Sequence, residues 1–241
     1  MKKKVLENKN CLITGATGGL GQEISREMIR CKCNLFLTAR SDKKLVNFTR
    51  QLTKINSDAE ICYCKGDLNN IKDIDIIVKN AKEKMKNIDI LINCAGVFPV
   101  KSLTESDIKD FENCFNVNIR APLIFCKEFS KEMIEKKWGR IVNIGSSSAY
   151  AGFKETSIYC ASKHALLGLS RAVYDELKNY NIRTFCISPG SIKTEMGKQV
   201  KNQDFNTFID PKEIAEYVGF ILSFDNNMIS EEIRLNRMFI K

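Results

Sequence analysis

Short apolar runs alternate with helix-length stretches along this chain, and that alternation restricts its fold more than any other feature. Residues 10–14 (NCLIT) lead into a glycine cluster, after which Leu20, Ile24 and Met28 recur at helical spacing. Residues 34–39 (NLFLTA), 60–64 (EICYC), 89–93 (DILIN), 140–144 (RIVNI) and 183–187 (RTFCI) read as further strands. Helix-length segments lie between them, including 111–137 and 157–180. In 231–238 (EEIRLNRM), Ile233 and Leu235 alternate with Arg234 and Asn236, which suits an edge strand. Strands that alternate with helices imply crossover connections and a parallel sheet covered on both faces. The expected fold is therefore α/β: a Rossmann-type doubly wound parallel sheet of about seven strands. Ligands of such sheets sit at the carboxyl ends of the strands.

Composition narrows the function classes. With 241 residues, 44% of them hydrophobic, and no linker-like or low-complexity tract, one domain over 1–241 is expected. The opening Met1-Lys2-Lys3-Lys4 is basic, but Glu7, Asn8, Lys9 and Asn10 interrupt any apolar stretch after it. No run approaches the ~20 apolar residues of a membrane span, so a cytoplasmic protein without membrane partners is expected. The ten cysteines are scattered, several within strand-like runs (Cys11, Cys62, Cys64, Cys94, Cys186), and Cys31-x-Cys33 and Cys62-x-Cys64 lack zinc-knuckle spacing. They read as buried free thiols of a reducing compartment. One histidine, His164, excludes multi-histidine metal sites, and no metal is expected. The formal charge of +9 comes from lysines interspersed with acids, as in Lys82-Glu83-Lys84. It reads as a solvated surface rather than a nucleic-acid interface, with a field that also suits a phosphorylated cofactor.

Three segments carry chemistry. Thr14-Gly15-Ala16-Thr17-Gly18-Gly19-Leu20-Gly21 joins the first strand to a helix. Small residues there let the backbone approach a pyrophosphate, and the helix start offers free N–H groups and the positive end of its dipole. The second strand ends Thr38-Ala39-Arg40, where NAD sites usually place a carboxylate for the ribose hydroxyl. An arginine grips a 2′-phosphate instead, so NADP(H) is favoured over NAD(H), the alternative being a surface Arg40 with Asp42 serving the ribose. Finally, Tyr159-Cys160-Ala161-Ser162-Lys163 puts a phenol and an ammonium on one helix face. Free tyrosine ionises near ~10, and a neighbouring cation lowers that value, which makes the phenol a usable proton donor or acceptor. Thirteen residues before Tyr159, at a strand end, Ser146 in Ile144-Gly145-Ser146-Ser147-Ser148 can polarise a substrate oxygen, although the serine triplet leaves open which one acts.

Together these motifs resemble the classical short-chain dehydrogenases/reductases, in particular the 3-oxoacyl-carrier-protein reductases, over almost the whole chain. The glycine spacing matches that family's TGxxxGxG. Asn93-Cys94-Ala95-Gly96 is similar to its NNAG segment, with cysteine for the second asparagine. The resemblance implies a catalytic set of Asn118, Ser146, Tyr159 and Lys163. Tyr159 would be the acid/base and Lys163 its tuner and a ribose ligand. Ser146 would orient the substrate, and Asn118 would hold a proton-relay water. It further implies cofactor contacts from Gly15, Thr17, Gly18, Gly19, Leu20, Gly21 and Arg40. Asp67 and Leu68 would lie at the adenine, with Asn93, Ala95 and Gly96 beyond them. Pro189, Gly190, Ile192 and Thr194 of the PGxxxT segment would lie at the nicotinamide. The segment 195–210 falls where the family carries a substrate lid, and Phe98, Tyr150, Phe153 and Met196 are pocket candidates. The 231–238 ending departs from the family's glycine-rich one. A homodimer or homotetramer through 111–137 and 157–180 is implied.

The leading functional expectation is an NADPH-dependent reductase of a ketone or 3-oxoacyl thioester, the latter on an acyl carrier. The alternatives are an NAD-linked alcohol dehydrogenase working toward oxidation and a catalytically silent dinucleotide sensor. A sugar-nucleotide epimerase or dehydratase would need a larger C-terminal region.

Overall fold

The computed structural model describes residues 2–238, so Met1 of the basic opening lies outside them. Seven parallel strands form one sheet in the order β3-β2-β1-β4-β5-β6-β7. They are β1 (Asn10–Thr14), β2 (Asn34–Ala39), β3 (Ile61–Lys65), β4 (Ile90–Asn93), β5 (Gly139–Ile144), β6 (Ile182–Pro189) and β7 (Glu232–Leu235). The chain winds outward from β1 to β3, then crosses back to place β4 on the other side of β1. That reversal opens a crevice beyond the carboxyl ends of β1 and β4, where open α/β sheets bind ligands.

Side-chain alternation along the strands divides the interior into two cores. Cys11 and Ile13, Leu35 and Leu37, and Ile90 and Ile92 face α1 (Gly19–Arg30), α2 (Asp42–Thr53) and α7 (Pro211–Leu222). Leu12, Phe36, Leu91 and Ile141 face α3 (Ile71–Met85) and α5 (Ala121–Lys136). Cys62 and Cys64 pack against this second core. None of the ten cysteines is disulfide-bonded, and burial raises the pKa of Cys11, Cys33, Cys94 and Cys126.

The expected helix 111–137 is not continuous. It starts earlier, as α4 (Ile108–Phe115), because Asp107 and Asp110 form a reciprocal capping box. A five-residue π-helical turn, Asn116–Arg120, then joins it to α5. Apolar periodicity does not register one extra residue in a turn. The other long segment is α6 (Ser157–Leu177), followed by a 3-10 turn at Lys178–Tyr180. The 195–210 segment is mostly irregular, with short 3-10 turns at Gly197–Gln199 and Phe205–Thr207. Among the described residues, no helix is long and apolar enough to cross a membrane.

Candidate active site

A cleft of about 1570 Å³ runs along the carboxyl ends of the strands, from the β2–α2 junction to the segment after β7. Its floor begins at the glycine turn. Gly15 has φ +65°, and a Cβ there would lie 2.8 Å from Ala95 Cα; a Cβ on Gly21 would lie 2.2 Å from the Gly15 carbonyl. Neither position admits a side chain without moving backbone. Thr14 ties this turn to the next strand, its Oγ1 accepting from the amides of Cys94 and Ala95, both at 3.0 Å. Only the backbone of residue 94 takes part, which explains why cysteine can stand where the resemblance has asparagine.

Helix α1 opens on Gly18 without a side-chain cap or an acid in its first turn. By contrast α2, α3, α4 and α7 are capped by Ser41, Asn70, Asp107 and Asp210. The amides at the start of α1 thus have no competing side chain where an anion would sit. Thr17, Gly18, Gly19 and Leu20 line this part of the cleft. At its outer end lies Arg40, exposed, with Ser41 and Lys44 beside it. Lys44 is a second cation that sequence reading missed. Asp42, the first residue of α2, does not line the cleft. Asp67 and Leu68 form the neighbouring wall, where Asp67 Oδ1 accepts from the Asn69 amide at 3.0 Å. These features fit a dinucleotide pyrophosphate with a phosphorylated ribose.

Across the cleft stand Pro189, Gly190, Ile192 and Thr194. A Cβ on Gly19 would approach Thr194 Cγ2 to 2.7 Å, so this segment closes against the glycine turn. Thr194 Oγ1 accepts from the Gly197 amide at 3.1 Å and anchors the start of the 195–210 segment.

The structure brings Ser146, Tyr159 and Lys163 together in the middle of the cleft, beside Ala95 and Gly96. Ser146 Oγ accepts from the Ser148 amide at 3.1 Å, and of the triplet it is the serine whose hydroxyl acts on the Tyr159 phenol, favouring its ionised form. Tyr159 is 9% exposed and packs edge-on against Phe98, with ring centroids 4.6 Å apart. Burial pushes its pKa up to about 12, opposed by the nearby Ser146 hydroxyl. The expected lowering by Lys163 is not seen. The ammonium donates to the Ile144 carbonyl at 2.8 Å and lies 5.6 Å from the phenol ring centroid. Burial also lowers the pKa of Lys163, opposed by the thiols of Cys186, Cys114 and Cys94.

Two predicted residues lie off the cleft wall. Asn118, within the π-helical turn, is 1% exposed. Its Oδ1 accepts from the Val97 amide at 2.9 Å, and its Nδ2 donates to the Val97 carbonyl at 3.1 Å and to Ser162 Oγ at 3.0 Å. Ser162 Oγ in turn donates to the Tyr159 carbonyl at 2.7 Å. The Asn118 side chain therefore locks the turn after β4 to the helix that carries Tyr159. Ser162 is the link sequence reading missed, though it stands inside the Tyr159–Lys163 motif. Asn93 is buried in the sheet, donating to Asn143 Oδ1 at 2.8 Å, so its side chain acts on the strand and not on a ligand. Of the pocket candidates, Phe98, Phe153 and Met196 line the cleft, and Tyr150 does not. The lone His164 is exposed on α6, with Nδ1 2.8 Å from the Cys160 carbonyl oxygen.

Comparison with known proteins agrees with this geometry. The sequence profile of the family described as short chain dehydrogenase matches residues 9–204. The chain belongs to the short-chain dehydrogenase family. An uncharacterized oxidoreductase of Staphylococcus saprophyticus is 28% identical over 95% of this chain and 97% of its own length. The 3-oxoacyl-(acyl-carrier-protein) reductase of Rickettsia typhi is 30% identical over 89% of each protein. Among solved structures, an alcohol dehydrogenase of Thermococcus sibiricus complexed with 5-hydroxy-NADP superposes with a TM-score of 0.87 at 25% identity, covering 96% of this chain and 97% of that one. A metagenomic short-chain oxidoreductase in complex with NADP gives 0.84 at 25% identity, covering 97% and 99%. This short-chain dehydrogenase is thus an oxidoreductase with a Rossmann-type sheet of seven parallel strands.

Proposed function

We propose that this short-chain dehydrogenase reduces the carbonyl of a ketone or 3-oxoacyl thioester to an alcohol, using NADPH. The observation that carries the reading is the placement of Ser146, Tyr159 and Lys163 together in the cleft, with a phenol that burial keeps protonated. A phenol with a pKa of about 12 holds its proton at neutral pH and can give it up only to a strongly basic oxygen. A carbonyl oxygen becomes such a base as hydride reaches its carbon. NADPH, when bound, supplies that hydride. Tyr159 Oη then transfers its proton to the same oxygen, and Ser146 Oγ holds that oxygen beside the phenol. The sum of hydride and proton is the alcohol. Lys163, free to exchange the Ile144 carbonyl for a ribose hydroxyl, supports the phenolate left behind. Asn118 keeps Tyr159 in position through Ser162.

Holding the cofactor falls to the glycine turn and the uncapped α1, to Asp67 and Leu68, and to Pro189, Gly190, Ile192 and Thr194. Arg40 and Lys44 would grip the 2′-phosphate and set the preference for NADP(H) over NAD(H). The related structures with NADP and 5-hydroxy-NADP support this choice. The reductase from Rickettsia typhi supports a thioester among the substrates. The reading extends to residues 1–241 as one domain, with 195–210 as the substrate lid, acting in the cytoplasm. Exposed Ile108 and Phe111 on α4 and Leu123 on α5 support assembly of copies through these helices.

The test is Tyr159→Phe. It is expected to abolish turnover of ketones and acetoacetyl thioesters while leaving NADPH binding in place. Near-normal turnover by the variant removes the proposed role of Tyr159, and tighter NADH than NADPH binding by the unmodified protein removes that of Arg40.

A further inference from the structure

The substrate end of the cleft carries an uneven set of charges. Its acids are Glu155 and Glu195, and each is already paired, with Lys201 at 3.2 Å and with Lys198 at 2.6 Å. Lys154, Lys193, Arg234 and Arg237 line the same end, and among the described residues none of them has an ion-pair partner. Arg237 is held by neutral groups of the 195–210 segment, donating to Thr207 Oγ1 at 3.1 Å and to Gln203 Oε1 at 2.7 Å. Four cations thus face the opening, and no acid among the described residues neutralises them.

Arg234 is the best placed of the four. It lies on β7, in register with Ser188, one residue before Pro189. Its neighbour Ile233 is buried in the core against α7. Strand alternation therefore turns Arg234 to the opposite face of the sheet. There its guanidinium stacks on the Tyr150 ring at 4.5 Å from the centroid, four residues beyond Ser146. Glu232 shares that face and would be the natural counter-charge. It is engaged instead by Arg171, through Nε and through Nη2 at 3.0 Å, and accepts from the Tyr150 hydroxyl at 3.2 Å. The ring restricts Arg234, and among the described residues its N–H donors meet no acceptor. A guanidinium placed over an aromatic ring, with donors to spare, suits bidentate binding of an oxyanion.

We infer that Arg234 selects carbonyl substrates carrying a carboxylate or phosphate, and binds that anion while the carbonyl lies at Tyr159. The inference rests on the proposed reductase activity for its substrate, but not for its test. It assigns a function to the 231–238 segment, the part of the chain that departs from the family pattern. The anion can belong to a small oxo acid or to a phosphopantetheine arm.

The experiment uses matched probes that differ only in charge: levulinate against methyl levulinate, and acetoacetyl phosphopantetheine against acetoacetyl pantetheine. Binding to the NADP⁺-loaded protein is measured by calorimetry, and kcat and KM are measured separately with NADPH. The anionic member of at least one pair is expected to bind about tenfold or more tightly, a preference that weakens with added salt. A preference confined to the thioester pair assigns the anion to the carrier arm, and one confined to levulinate assigns it to a small acid. Arg234→Gln is expected to remove the preference through KM rather than kcat, and Arg234→Lys to keep part of it. Equal binding within both pairs, or a preference that survives Arg234→Gln, overturns the inference. The salt dependence of the unmodified protein decides the matter if a variant fails to fold. Charge-selective binding without turnover would sink the reductase reading and leave this one standing, and turnover without charge selectivity would do the reverse.

Discussion

The two ends of the sheet handle buried polar groups in opposite ways. At the amino end, Arg140 is fully buried, yet it donates to Asp225 Oδ1 at 2.6 Å and to the Phe224 carbonyl at 3.2 Å, and it stacks 4.3 Å from the centroid of the Trp138 ring. Nearby, Asp89 accepts from the Asn10 amide at 3.0 Å and from Asn87 Nδ2 at 3.1 Å. Apart from the buried Arg140 Nε, which meets no acceptor among the described residues, these groups are taken up by the fold. At the carboxyl end, Tyr159, Ser146 and Lys163 are nearly as buried, but they line an open cleft, and among the described residues Lys163 Nζ bonds to one carbonyl and Ser146 Oγ to one amide. One end spends its polar groups on closure, and the other keeps theirs available for a ligand. The contrast shows that burial of a polar residue does not by itself mark function; what marks it is the capacity left after internal bonds are counted.

Substitutions at the two ends should therefore separate activity from stability. Tyr159→Phe is the largest expected effect, a loss in kcat of about 10²- to 10⁴-fold with little change in melting temperature. A variant that lost stability instead would erase the contrast. Arg40→Ala comes next, weakening NADPH binding by about ten- to a hundredfold, as expected for a lost charge-assisted contact, with NADH binding unchanged. Fluorescence titration of the two cofactors measures this. Asp225→Ala at the other end should cost about 2 kcal/mol in denaturant unfolding, because it leaves the buried Arg140 without its counter-charge. KM values should stay as they are. The smallest effect is a pH dependence. Reduction needs the protonated phenol, so kcat/KM should hold through the neutral and mildly alkaline range and fall only as pH climbs toward about 12. A fall centred near neutrality would mean that Tyr159 is not kept protonated by burial.

The sheet was legible because parallel strands buried on both faces are near-continuous apolar runs. Residues 10–14 and 34–39 coincide with β1 and β2, the bounds of β3 to β6 shift by only one or two residues, and β7 ends at Leu235, short of the 231–238 segment read as an edge strand. The motifs located the cleft because each stands at a strand end. What stayed illegible depends on tertiary contacts. Nothing in the sequence directs the Lys163 ammonium to the Ile144 carbonyl, or Tyr150 to Glu232 instead of the pocket. Lys44 reads as an ordinary charge on the first turn of α2, and only the packed structure sets it beside Arg40 in the cleft. Asn93 sits in a motif that suggests a ligand contact, whereas its neighbour across the sheet, Asn143, claims the side chain.

The π-helical turn at Asn116–Arg120 has a consequence outside the cleft. One residue more than an α-helical turn holds rotates everything beyond it by about 100° around the helix axis. That rotation sets which way Leu123 and the rest of α5 look, while the same turn seats Asn118 against Val97 and Ser162. Deleting a single residue here would not merely loosen a side chain. It would turn the outer surface of α5 like the wrong notch of a gear, so that the catalytic helix and the molecular exterior can change only together.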